Sequence, residues 1–219
     1  MRRLALSMLV AIATGGLASC NILVPAAFIF APEPMVEPAY ELPDRSTVVF
    51  VDDRQNLVTP TSLRRIIGNR VSQDLMVEEA VTTTIDASDA EAFARVNDTD
   101  GAPMAIDAIG RAVGADVVIY VEMVEFRDRT DPYQPKPRAS CRVRVIDAVN
   151  RTRLFPDPSA SEPSQLVQVE LPAMNPDDLR SRAARNQVGE LLANRLGQQA
   201  GRLFYEWNSN KIGTSLEGG

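Results

Sequence analysis

Residues 4–17 carry no charge, and they lie between a basic pair, Arg2 and Arg3, and a group of small residues that ends at Cys20. No other feature limits the chain as much, because it decides where folding takes place and which stabilising chemistry is left for it. A short positive region, an apolar stretch and a small-residue site, in that order, form a secretory leader. The stretch is too short to cross the hydrocarbon core unaided, which takes roughly 20 apolar residues. Residues 1–19 are therefore predicted to be a signal peptide.

Leu17-Ala18-Ser19-Cys20 resembles the bacterial lipobox, in which the cysteine thiol is diacylated and the chain is cut just before it. The resemblance implies a lipoprotein of the cell envelope, with Cys20 as the lipidation site and the membrane as its first partner. Two acyl chains hold a protein stably where one holds it only marginally. Asn21 stands where Asp favours inner-membrane retention in enteric bacteria, so the outer membrane is the expected location, with the protein facing the periplasm. An uncleaved membrane helix is the alternative, since the apolar residues 22–31 follow directly. Pro25 interrupts that run, and Pro32 and Pro34 close it.

Only one other cysteine exists, Cys141. With Cys20 acylated it has no intramolecular partner, so an exported domain must be held by its apolar core rather than by a disulfide. Cys141 falls in an alternating apolar strand and is expected to be a buried, inert thiol. About 200 residues remain after the leader, enough for one domain with tails. The net charge is −6, and more negative once Arg2 and Arg3 leave with the leader. That acidity excludes bulk nucleic-acid binding, which needs concentrated Lys and Arg. The chain has no histidine, which removes Ser-His-Asp and Cys-His catalysis and His-based metal sites. No calcium-loop spacing is present, and no metal or cofactor is called for.

The chain organises into four parts. Residues 20–45 comprise the lipidated cysteine, the apolar stretch and a linker with Pro32, Pro34, Pro38 and Pro43, which reads as a semi-rigid spacer. The domain occupies 46–207, and 208–219 is a polar tail expected to be disordered. Thr47–Val51 is β-branched and aromatic, so it reads as a strand. Leu63, Ile67, Val71 and Leu75 recur at helical spacing and predict a helix over about 61–78. Val81–Ile85 reads as a strand. Ser88-Asp89-Ala90-Glu91 fits a capping box at the start of a short helix. A further helix runs from Pro103 to a stop at Gly114. Val117–Phe126 is the longest strand, apolar at first and then punctuated by Glu122 and Glu125. Ala139–Asp147 is its antiparallel partner, followed by short strands at 153–155 and 166–171. Asn175-Pro176-Asp177-Asp178 carries a cap, a proline and two acids, and opens a long helix over about 176–206. The fold class is α+β: a small mixed β-sheet packed by helices, with a long C-terminal helix.

Four segments carry a wider resemblance. They are Val48-Val49-Phe50-Val51-Asp52 before an amphipathic helix; Ile109 to Ile119, a helix that closes through Gly-Ala-Asp into an apolar strand; Arg142 to Asp147, then a turn and Leu154-Phe155; and the closing Leu203-Phe204-Tyr205-Glu206-Trp207. Together they resemble the CsgG, LpoB and TolB-amino-terminal group of periplasmic domains, over roughly residues 46–207. The resemblance implies a sheet similar to that of anticodon-binding domains, and a protein that binds other envelope proteins without catalysis. CsgG-like members form secretion pores through amphipathic membrane hairpins, so an oligomeric secretion or pore component is the alternative. The 127–138 segment is too polar and proline-rich for such hairpins, whose strands need about 9–11 alternating residues.

Candidate sites are few. Asp52-Asp53 is a carboxylate pair, but such pairs more often open a loop. Glu122 and Glu125 are three residues apart, and strict strand alternation puts them on opposite faces. The 127–138 loop, with Arg127, Arg129, Tyr133, Lys136 and Arg138, is the preferred binding surface, since loops carry function and Tyr and Arg are common interface anchors. Arg185, Arg195 and Arg202 lie roughly along one side of the last helix and form a second candidate, for an acidic partner or anionic headgroups. The expected function is that of a non-enzymatic adaptor, with an envelope protein as its partner.

Overall fold

The computed structural model describes residues 35–98, 102–127 and 133–209. The chain divides into two compact units, Glu37–Trp207 and a second made of residues 1–36 with 208–219. Of the second unit, the described residues are strand β1 (Met35–Val36), Asn208 and Ser209. Cys20, the leader, the apolar 22–31 run and residues 210–219 lie outside the described residues. Asn208, where the tail was expected to begin, is the last residue of strand β8 (Trp207–Asn208).

The larger unit is α+β. Its sheet has strands β2 (Thr47–Asp52), β3 (Thr84–Ile85), β4 (Val117–Arg127), β5 (Arg138–Asp147), β6 (Thr152–Phe155) and β7 (Gln165–Glu170). The order is β3-β2-β4-β5-β6, and β7 also pairs with β5. β2 runs parallel to β3 and β4, whereas β5 is antiparallel to β4, β6 and β7. Among the described residues, four helices cover the sheet: α1 (Ser62–Val77), α2 (Ala87–Asn97), α3 (Ile106–Val113) and α4 (Arg182–Gly201).

Two apolar layers explain the strand patterns. On one face Val49, Ile119, Val121, Cys141 and Val143 meet Leu63, Ile67 and Leu75 of α1 and Leu192 and Leu196 of α4. On the other, Val48, Phe50, Val118 and Tyr120 meet Ala90 and Ala94 of α2 and Ile109 of α3. The first half of β4 is covered on both faces, so it is apolar at successive positions. Beyond Val121 the second face is only partly covered, and Glu122 and Glu125 appear there. Cys141 is fully buried and free, and burial pushes its thiol up to about 12.

Three expectations shift, each because a backbone group finds another partner. The strand expected at 81–85 contracts to Thr84–Ile85 because the N–H groups of Ala80 and Val81 both donate to Leu75 O and wrap up the end of α1. The capping box at Ser88 does not form. The Asp86 side chain accepts from Ser88 N at 2.8 Å and starts α2 two residues sooner. The long last helix is split. Asn175 caps a single 3₁₀ turn over Pro176–Leu179, which buries Leu179, and Ser181 then caps α4 by accepting from Ala184 N. Gly114 ends α3 at φ +82, as its position predicts.

The two ends of this unit are joined. Tyr40 N donates to Leu203 O at 3.1 Å. The Tyr40 ring lies 5.6 Å from that of Phe155, which is 6.0 Å from Phe204 in an edge-on contact. Such pairs contribute about 0.5–1.5 kcal/mol each beyond area burial.

Candidate functional site

The carboxylates at the end of β2 have structural duties. Asp53 accepts from Leu57 N at 2.8 Å and Val58 N at 3.0 Å, so it folds the β2–α1 loop. Asp52 Oδ2 accepts from Tyr120 Oη at 2.6 Å and from Arg54 Nε at 2.8 Å. Burial, reinforced by the bond to Asp52, keeps the Tyr120 phenol protonated far above its usual range. A cleft of about 340 Å³ opens here, lined among others by Asp52, Arg64, Glu91 and Asp98. Burial raises the Glu91 carboxyl, opposed by Arg64, Arg65 and Arg95. Sequence spacing held no sign of this meeting, because α1 and α2 reach it from opposite faces of the sheet.

The second carboxylate pair departs from expectation. Met123 pairs with Cys141 but Glu125 pairs with Ser140, which leaves Val124 as an extra residue in β4. This bulge resets the alternation. Glu122, opposite Arg142, and Glu125, opposite Ser140, therefore share one face, and Phe126, opposite Ala139, returns to the apolar face. The two acids do not act as a pair, since each has its own cation. Glu122 lies 3.6 Å from Arg144, and Glu125 accepts from Arg138 Nη2 at 2.9 Å.

The bulge also shapes a groove. With Phe126 turned towards α4, a cavity of about 520 Å³ forms between the β2–α1 loop (Leu57, Thr59, Pro60), the end of β4 (Phe126) and the start of α4 (Arg182, Arg185, Asn186, Gly189). The 127–138 loop leaves β4 at this point. Its returning arm is tied to the segment that leads into α4, because Leu171 N donates to Pro137 O and Met174 N to Pro135 O, both at 2.9 Å. The loop's two ends and the first turns of α4 thus belong to one region.

The predicted site residues divide accordingly. Arg127 ends β4, 3.5 Å from Glu125, and Arg138 opens β5 on the same carboxylate. Tyr133 is 88% exposed, Lys136 is exposed, and Arg129 lies outside the described residues. Arg185 lines the groove, its Nη1 donating to Leu179 O at 3.0 Å and Arg180 O at 2.8 Å. Arg195 is half-buried on α4. Arg202 turns instead to Trp207, with its guanidinium 4.2 Å from the ring centre. Arg185 and Arg202 are about 25 Å apart along the helix axis and serve opposite ends of it. Leu57, Pro60, Phe126 and Asn186 were not foreseen as a site. One signal was present: Arg180, Arg182 and Arg185 crowd a helix start, where the dipole favours acids. Among the described residues, no group of three or more Cys, Asp or Glu is placed to hold a metal ion.

No family model matches the chain, and no curated protein matches it. Its structure is similar to those of several bacterial proteins at low identity. The lipoprotein GNA1162 from Neisseria meningitidis is 13% identical, with 68% of this chain and 96% of that one covered and a TM-score of 0.40. Protein XCC0632 from Xanthomonas campestris is 8% identical over 78% and 90% of the two chains, with a TM-score of 0.46. PelC from Paraburkholderia phytofirmans, solved as a dodecamer, is 15% identical over 77% and 95%, with a TM-score of 0.36.

Proposed function

We propose that the chain is a lipid-anchored protein of the bacterial cell envelope that works without catalysis, by binding another envelope protein. The leader, the lipobox-like Leu17-Ala18-Ser19-Cys20 and the proline-containing linker support the anchoring and the periplasmic orientation. The observation that carries the binding role is the groove at the end of β4, which brings an apolar wall and two arginines together, and the 127–138 loop that leaves β4 there carries the exposed Tyr133. Aromatic and arginine anchors of this type dominate protein interfaces. A photocrosslinker at Tyr133 in living cells is expected to recover one recurrent envelope protein. Recovery of only bulk lipid and abundant porins overturns the reading. Mass spectrometry of the mature amino terminus tests the anchor, and an intact Met1 or an unmodified Cys20 refutes it.

One observation favours a second reading, an oligomeric secretion component of CsgG type. The outer edge of β7 carries no strand among the described residues, and its sequence, Gln165 to Glu170, has neither Pro nor Lys to block pairing. The size of the detergent-solubilised protein decides, and a clean monomer ends this reading.

A further inference from the structure

Resting on the adaptor reading, we propose that the groove at the start of α4 receives an acidic segment of the partner that bears an apolar side chain. Among the described residues, the lining holds two cations, Arg182 and Arg185, and no acid. That is a local inversion in a chain with 29 acidic and 23 basic residues. Its volume of about 520 Å³ lies inside the roughly 300–1,000 Å³ typical of pockets that enclose a ligand.

The two arginines have different tasks. Arg185 is held in place, since its Nη1 bonds two backbone carbonyls, Leu179 O and Arg180 O. A guanidinium fixed in this way presents its remaining N–H groups to a carboxylate with little ordering cost. Arg182 is exposed, and its side chain makes no ion pair or hydrogen bond among the described residues. It stands at the first position of α4, where the positive end of the dipole disfavours a cation. An incoming carboxylate relieves that repulsion and meets both charges. Opposite them, Leu57, Pro60 and Phe126 form an apolar wall, with Leu57 and Phe126 only partly buried against the core. Such a wall takes an aliphatic or aromatic side chain and gives a bare anion nothing to gain. An anionic membrane surface fits less well, because electrostatic attachment takes clusters of about 4–8 cations.

The test uses the full-length protein in detergent and three short fluorescein-labelled peptides: one of Glu with Phe and Leu, one of Glu with Ser, and one of Lys with Phe and Leu. Anisotropy is expected to show binding of the first alone, weakening as salt rises. Arg182→Glu and Thr59→Asp, both at exposed lining positions, are each expected to weaken it about tenfold, the effect of about 1.4 kcal/mol, while Arg182→Lys keeps most of it. Arg182→Glu removes a cation from the helix start, so its melting temperature does not fall, and a loss of binding is not a loss of fold. Equal binding of the Lys peptide, or acidic-peptide binding indifferent to both variants, overturns the proposal. So does Arg182-dependent binding of short-chain phosphatidylglycerol without binding of any peptide, which assigns the groove to lipid. If the peptides fail while Tyr133 still crosslinks one protein, the adaptor reading stands without this site. If the crosslink fails, the adaptor reading falls whatever the peptides do.

Discussion

Four donors converge on Asp147 at the end of β5: Arg45 Nη2, the N–H groups of Val149 and Asn150, and the Asn150 amide. Burial alone raises this carboxyl, but the Asn150 bonds and Arg45 outweigh it and hold it at about 2. A depressed carboxyl stabilises the fold fully above its unfolded value of about 3.9 and loses that contribution as pH falls through its folded value. Asp147→Asn is expected to cost about 2 kcal/mol in urea unfolding at pH 6, and the difference from the native chain should narrow towards pH 2. A constant difference across that range refutes the role. At this scale the sequence was legible wherever a residue acts through its neighbours. Gly114 declared its left-handed cap, and Asp53 its loop. Arg45, which reaches Asp147 across 102 positions, left no local pattern to read.

The elements were legible in kind and less so in detail. The apolar stripe of α1 and the mixed character of β4 follow from periods of 3.6 and 2. The bulge at Val124 does not, because nothing in Met123-Val124-Glu125-Phe126 distinguishes an extra residue from an ordinary one; the register against β5 reveals it. Its removal is a sharp test. Deleting Val124 restores simple alternation and keeps Glu125 opposite Ser140 and Phe126 opposite Ala139, on the Cys141 side of the sheet. The ion pair of Glu125 with Arg138 is then kept, so the deletion is expected to cost less than the roughly 3–5 kcal/mol of a broken buried pair, and a loss of that size in urea unfolding disproves the register. The split before α4 was hidden for a related reason: two good caps, Asn175 and Ser181, compete, and only the burial of Leu179 decides between them. α4 also comes unusually close to α1. A Cβ on Gly197 would meet Ile67 O and Arg70 Cβ, each at 2.8 Å. Gly197→Ala is therefore expected to lose about 1–3 kcal/mol despite its better helix propensity, read as a lower thermal midpoint.

For the whole molecule, the candidate groove was half legible. Its arginines were visible as a crowd at a helix start, whereas its wall comes from Leu57 and Phe126, which tertiary packing alone unites. The core itself offers a readout of the proposed tether. Cys141 is fully buried, so a thiol reagent should reach it only through global unfolding. In urea the purified chain should titrate one thiol if Cys20 is acylated, and two if it is not. The clamp of Tyr40, Phe155 and Phe204 bears on how the proposed tether would load the domain. Because Tyr40 is bonded to Leu203, the larger unit's chain comes in and goes out at one place, and a pull from the proposed anchor would load that hydrogen bond and those three rings before any strand of the six-stranded sheet. The clamp acts as a strain relief. A tug from such an anchor would peel at a seam, and the sheet behind it, with the groove it supports, would keep its shape until the seam gives way.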